Sequence, residues 1–323
     1  MDKAAATPKT LLEAVQYFSI YENCHSYMVE LRWPDGKVKC PRCGSDDVAW
    51  LPNAKVFKCY CKHDRQKFSL KVGTIFEESP IALEKWLPVM WMLVNAKNGI
   101  SSWEIHRGIG VTQKTAWFML QRCRLAMQDD FSGGNLGGEV EVDETFIGGK
   151  ARNMHKDRKR RAHRDGKLSD KAIVLGMLER GGKVRASVIP DRTKATIQPI
   201  VGANVEPGSE IHSDEHGNYW KMDEYQHNIV QHLEQYVDGN VHTNGVENFW
   251  SLLKRTLGGT YVSVEPFHLF RYVDEQAFRF NNRKPMDDAD RFRYAMRKIV
   301  GKRLTYAELT GKTEEGPNQE EAF

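Results

Sequence analysis

Four of the six cysteines, Cys40, Cys43, Cys59 and Cys61, fall between positions 40 and 61, and no other feature constrains the N-terminal part of this 323-residue chain as strongly. Cys40-Pro41-Arg42-Cys43-Gly44 is a metal knuckle. Two thiolates separated by two residues converge on one ion, and the glycine permits the tight turn between them. A second knuckle on an adjacent hairpin would close a tetrahedral site for structural Zn²⁺. That second half, Cys59-Tyr60-Cys61-Lys62-His63, is irregular, because Cys-x-Cys is tighter than the usual Cys-x-x-Cys. The expected ligands are therefore Cys40, Cys43, Cys59 and Cys61, with His63 as the alternative fourth. A group of free buried thiols is the bland reading, and the knuckle spacing argues against it. A ribbon of this size has little core, so the metal would supply its folding free energy.

The rest of the chain has the makings of a soluble multidomain α/β protein. Hydrophobic residues make up 40% and charged residues 28%, within the globular range. No apolar run spans a bilayer and the N-terminus lacks a signal-peptide pattern, so no membrane association and a cytoplasmic location are expected. Residues 1–80 read as a helix over 11–31 followed by the zinc ribbon. Residues 81–130 read as helical: a helix over 83–96, a short helix over 103–107, a turn at Gly108-Ile109-Gly110, and a Thr112-capped helix reaching 127. Helix, glycine turn and capped helix form a helix-turn-helix-like pattern, which would set Gln113 and Lys114 where DNA contacts fall. Three-helix bundles without DNA affinity share it.

After a glycine-rich linker at 131–138 the period changes to two, opening a domain expected over 138–310. Residues 140–146 alternate, with Glu141 and Asp143 on one face and Glu144 on the other. Strands over 172–179 and 183–189 flank an Arg180-Gly181-Gly182 hairpin turn. A helix over 193–201, a strand over 210–213 running into Asp214, and a brief strand at 228–231 come next. In the stretch 242–255, Asn244 looks like an N-cap, with Glu247 three residues on completing a capping box. Val246, Trp250, Leu253 and Leu257 form its buried stripe, while Glu247 and Lys254 share another face. Helices over 267–280 and 287–309 follow, and 311–323 reads as a disordered tail.

Charge is concentrated. The net value is only +4, yet residues 150–171 hold ten Lys/Arg against three Asp, including Arg158, Lys159, Arg160 and Arg161. One basic segment on a nearly neutral body is the pattern of a polyanion contact.

Strand, hairpin, helix, strand and helix is the element order of a ribonuclease H-like sheet. That arrangement sends one carboxylate from the first strand, one from the end of a later strand and one from a following helix. Asp143, Asp214 and Glu247 hold those places, and three such acids repel one another unless cations neutralise them. Two Mg²⁺ (or Mn²⁺) ions suit hard oxygen donors and can drive in-line phosphodiester displacement. The stretches Glu141-Val142-Asp143-Glu144-Thr145-Phe146-Ile147-Gly148-Gly149-Lys150, His212-Ser213-Asp214 and His242–Arg255 resemble the motifs of bacterial insertion-sequence transposases with a zinc ribbon and a DDE domain. Gly73-Thr74-Ile75-Phe76 and Arg271-Tyr272-Val273-Asp274-Glu275 extend the resemblance, which covers roughly 35 to 285. It implies that Asp143, Asp214 and Glu247 hold the catalytic metals and that Lys254, with Arg255 beside it, contacts double-stranded DNA. It also implies cleavage and strand transfer at element ends, which requires bringing two ends together and hence a homo-oligomer. Two alternatives are a DNA-binding regulator with a degenerate nuclease domain and a nuclease or resolvase that cleaves without joining.

Overall fold

A computed structural model describes residues 8–128, 134–148, 171–214, 222–230 and 242–311. The basic stretch with Arg158–161 and the expected tail beyond 311 lie outside the described residues. The chain divides into two compact units, one from residues 1–128 with 282–322 and one from 129–281.

In the first unit, α1 (Leu11–Phe18) and α2 (Tyr21–Arg32) replace the single helix expected over 11–31. Thr10 caps α1, and Ser19 closes it with its N–H bonded back to Val15. Strands β1 (Val48–Leu51), β2 (Val56–Cys59) and β3 (Lys67–Phe68) form an antiparallel three-stranded ribbon. The ribbon is less coreless than its size suggests. Phe57 stands between Trp50 and Phe68, with ring centroids 4.7 and 5.5 Å away, and His25 of α2 lies 4.4 Å from Trp50. The hydrophobic helix α3 (Leu83–Asn95) runs through the core with Trp86, Leu87 and Trp91 buried. A complete capping box between Ser101 and Glu104 starts α4 (Ser102–Ile109), Gly110 ends it in the left-handed region, and Thr112 caps α5 (Gln113–Met127).

The second unit is a five-stranded mixed sheet of order β6-β5-β4-β7-β8. It comprises β4 (Glu139–Ile147), β5 (Ala172–Glu179), β6 (Val184–Ile189), β7 (Glu210–Asp214) and β8 (Gln226–Val230). The first three form an antiparallel meander, and β7 and β8 join parallel on the far side of β4. Alternation along β4 sorts the faces. Val140 and Val142 pack with α6 (Lys194–Asn204) through Ile197 and Val201. On the opposite face, α7 (Asn244–Thr256) and α8 (Leu269–Asn282) bury Val246, Phe249, Trp250, Leu253 and Val273 against Val174 and Leu178. Burial of these two apolar clusters holds the layers together.

At the C-terminal end the chain departs from the expected division. Helices α9 (Asp288–Arg297) and α10 (Tyr306–Thr310), expected within a domain running to 310, belong to the first unit. Phe292 is fully buried there, its ring 5.5 Å from Phe18 and 5.0 Å from Trp91. Gly73-Thr74-Ile75-Phe76 contributes too: Thr74 bridges Val300, and the Ile75 N–H bonds the Ile299 carbonyl at 3.0 Å. The sheet domain is thus an insertion, and the first unit is completed only after the chain has built the second.

Candidate functional site

In the ribbon, the donor atoms of Cys40, Cys43, Cys59 and His63 all lie within 4.8 Å of one another, and Cys61 is outside this group. Of the two candidates for the fourth position, the geometry groups His63 rather than Cys61 with the three cysteines. The Cys43 and Cys59 sulfurs are 3.6 Å apart, and Cys40 Sγ is 3.5 Å from His63 Nε2. A tetrahedral zinc ion with Zn–S of about 2.3 Å and Zn–N of about 2.0 Å separates its ligands by about 3.8 Å (S to S) and about 3.5 Å (S to N). The donor set therefore fits Zn²⁺. The Asp64 carbonyl lies 2.7 Å from His63 Nδ1, the partner that leaves Nε2 for a metal. Burial acts to raise the Cys40 thiol, but the backbone N–H groups of Arg42 and Cys43 and the neighbouring thiols outweigh it, bringing Cys40 down to about 7.

In the second unit, Asp143 sits mid-way along β4 on the face covered by α7. The indole Nε1–H of Trp250 donates to Asp143 Oδ2 at 2.8 Å. Asp143 is opposite Gly176 of β5, and a Cβ at 176 would stand 2.6 Å from two carbons of the Trp250 ring. The missing side chain is what admits the indole. A glycine inside a strand signals close approach, so Gly176 is the trace that this contact leaves in the sequence.

On the other side of β4, Glu139, Val140 and Glu141 pair with Glu210, Ile211 and His212 of β7. Asp214 is the last residue of β7, and its side chain is not described. Glu144, on the opposite face from Asp143, is paired with Arg192 at 3.3 Å. Glu247 lies exposed in the first turn of α7, and Lys254 and Arg255 are exposed in its last turn. The N-cap of α7 is Thr243, one residue before the expected Asn244, and it makes no side-chain cap bond. The capping box is therefore not formed; Thr243 Oγ1 instead donates to Glu247 Oε1 at 3.4 Å.

The cap comes from elsewhere. Glu141, only 1% exposed, accepts the Val246 N–H on Oε2 at 2.9 Å and Arg180 Nε–H on Oε1 at 3.0 Å. Arg180 also binds Glu139 and donates to the His242 carbonyl at 2.7 Å. Below this cluster His212 is 3.5 Å from Glu210; burial, then the Arg180 charge, hold it below the ordinary 6.5. None of Glu141, Arg180 and Trp250 was singled out from sequence for these roles. Glu275 and Arg279 of α8 are both buried and bonded to each other.

The helix-turn-helix-like pattern forms as two helices, but Gln113 is engaged by Ser102 at 2.8 Å. Exposed Lys114 lies 4.8 Å from the centroid of the Tyr306 ring.

Comparison with known proteins gives this arrangement its family. The ISXO2-like transposase domain matches residues 135–281, and the transposase zinc-ribbon domain matches residues 22–64. An uncharacterized transposase-like protein of Haemophilus influenzae is 31% identical over 102 residues, covering 31% of this chain and 82% of that protein. An uncharacterized protein in transposable element ISH50 of Halobacterium salinarum is 28% identical over 243 residues, 71% of this chain and 81% of that protein. The chain belongs to the insertion-sequence transposases that combine a zinc ribbon with an ISXO2-like DDE domain. Among the described residues, no helix is long and apolar enough to cross a membrane.

Proposed function

We propose that this transposase cleaves and joins DNA phosphodiesters at the ends of its element, with Asp143, Asp214 and Glu247 as the metal-holding acids of a ribonuclease H-like domain. The supporting observation is strand register. Glu141 faces His212 across the parallel β4–β7 pair, and Asp143 and Asp214 each follow that pair by two residues along their strands. Paired strands run about 4.8 Å apart, so two acids far apart in sequence are carried on adjacent strands running in the same direction. The meander-then-parallel strand order, with helices on both faces, favours the ribonuclease H-like assignment.

Hard carboxylate oxygens suit Mg²⁺ or Mn²⁺, which when bound as a pair supply an activated nucleophile and stabilise the leaving oxygen. The protein's own residues do the rest. The Trp250 indole fixes one oxygen of Asp143, leaving the orientation of the carboxylate set by a buried ring. Lys254 follows Glu247 by seven residues, about 10 Å along the helix and within about 20° of the same face, placing a cation where flanking phosphate would lie. Arg255 and the basic 150–171 segment, with Arg158, Lys159, Arg160 and Arg161, would grip backbone, and Gln113 and Lys114 would add DNA contacts from α5. Zn²⁺ held by Cys40, Cys43, Cys59 and His63 would be structural. Joining two ends calls for a homo-oligomer on the DNA.

The test is an Mg²⁺- or Mn²⁺-dependent assay on the DNA that flanks the coding region, searched first for short inverted repeats. Nicking followed by strand transfer is expected, and Asp143→Ala should abolish both while leaving DNA binding intact. Cleavage retained by Asp143→Ala would refute the assignment of the acids.

A further inference from the structure

We propose that Glu141 is a positioning residue for the metal-holding acids: from its place on β4 it caps the helix that carries Glu247, clamping that helix to the strand that carries Asp143. The inference rests on the reading of Asp143 and Glu247 given above, and deepens it.

Three observations carry it. The first turn of α7 lacks a cap of its own, since Thr243 makes no side-chain cap bond. A helix N-terminus leaves N–H groups unpaired and carries partial positive charge, so a carboxylate from another element is a strong substitute. Glu141 Oε2 supplies it by accepting the Val246 N–H, one residue before Glu247. Second, Gly245 is the residue that lets the carboxylate in. A Cβ at 245 would stand 2.8 Å from Glu141 Oε2 and 2.9 Å from Leu178 Cδ2. Third, the other oxygen is not idle. Arg180 donates to Oε1 at 3.0 Å, and His242 Nδ1 lies 3.3 Å from it, so both ends of the buried carboxylate are held.

The geometry links the two acids by short covalent paths. Asp143 is two residues along β4 from Glu141, on the same face, and Glu247 directly follows Val246. The clamp therefore sets where the first turn of α7 meets β4. Losing it frees that turn without removing a metal donor. Asp and Glu near a metal are commonly oriented by such outer partners, whose loss costs roughly ten- to a hundredfold in metal affinity.

The experiment compares Glu141→Ala, Glu141→Gln and Gly245→Ala in the full-length chain by two readouts: amide exchange across residues 243–248, and Mn²⁺ binding by titration without DNA. Glu141→Ala should speed exchange of the first turn and weaken Mn²⁺ binding, each roughly tenfold or more. Glu141→Gln keeps an oxygen for the Val246 N–H and should recover most of both. Gly245→Ala should behave like Glu141→Ala with the carboxylate still present, and it carries the comparison if Glu141→Ala does not fold. Unchanged exchange in Glu141→Ala overturns the clamp. Faster exchange with unchanged Mn²⁺ affinity overturns the positioning role. If wild type binds Mn²⁺ no better than Asp143→Ala, the metal-centre reading itself fails, and the exchange result then judges the clamp alone.

Discussion

Gly176 tests the packing behind Asp143 most directly. In Gly176→Ala the new Cβ would stand 2.6 Å from Trp250 Cζ2 and Cη2 and 3.1 Å from Val246 Cγ2. Carbon atoms in contact sit about 3.5–4.0 Å apart, so the overlap with the ring is about 1 Å. Trp250 has little room to retreat, being 4% exposed and tied to Asp143. Overpacking of this kind costs about 1–3 kcal/mol. Replacing a strand glycine by alanine returns about 0.5–1 kcal/mol through chain entropy. If the ring moves off Asp143, the lost bond to a charged acceptor adds about 1.5–3 kcal/mol. With that bond lost, the net expectation is a destabilisation of about 1.5–5.5 kcal/mol. Trp250→Phe removes the two colliding carbons together with the indole N–H. In that background Gly176→Ala should be neutral or slightly stabilising, giving a coupling energy at least as large as the cost of Gly176→Ala alone in a double-mutant cycle. Urea unfolding together with amide exchange of β5 measures it. If Gly176→Ala costs the same with and without Trp250→Phe, the reasoning is refuted, because no ring contact would then be involved.

Other outcomes follow from the same geometry. The purified chain should carry about one zinc; His63→Ala should lose it and Cys61→Ala keep it, as read by metal analysis, and the reverse pattern would return Cys61 to the site. Phe292→Ala, far beyond α5 along the chain, should nonetheless destabilise the first unit by about 3–5 kcal/mol, detectable as faster amide exchange in α3. No change in α3 would mean that α9 is not part of its core. Burial holds His212 and His227 below 6.5, so an unfolded chain takes up protons at higher pH than the folded one. The stability they contribute is complete above about pH 6.5 and is lost as pH falls through their folded values. The urea midpoint of the second unit should therefore drop between about pH 7.5 and 5.5, less steeply in His212→Asn; an identical slope in that variant would exclude His212.

Local pattern accounts for much of what was legible. The alternation over 140–146 identified a strand and separated Glu141 and Asp143 from Glu144. The Arg180-Gly181-Gly182 hairpin, the Thr112 cap and the Val246–Trp250–Leu253 stripe all appear as expected, because each depends on residues within four positions of one another. The motifs of the transposase family were likewise contiguous, so the family could be recognised before any fold was seen. The first knuckle, Cys40 and Cys43, belongs to this group too.

What the sequence by itself left undetermined is everything settled by contacts distant along the chain. Spacing could not choose between Cys61 and His63, since the choice depends on how the turn after β2 folds back toward Cys40. The helix pattern at 287–309 was clear, but nothing local says which core Phe292 enters. Asn244 was a sound N-cap by type, yet the helix begins at it with Thr243 as N-cap, and the side-chain acceptor in its first turn is Glu141, more than a hundred residues earlier. The relation of Asp143 to Asp214 is of the same kind. Each acid is visible in the sequence, while the parallel pairing of the strands that carry them, β4 and β7, is decided only by the assembled sheet, with its apolar layers buried on both faces.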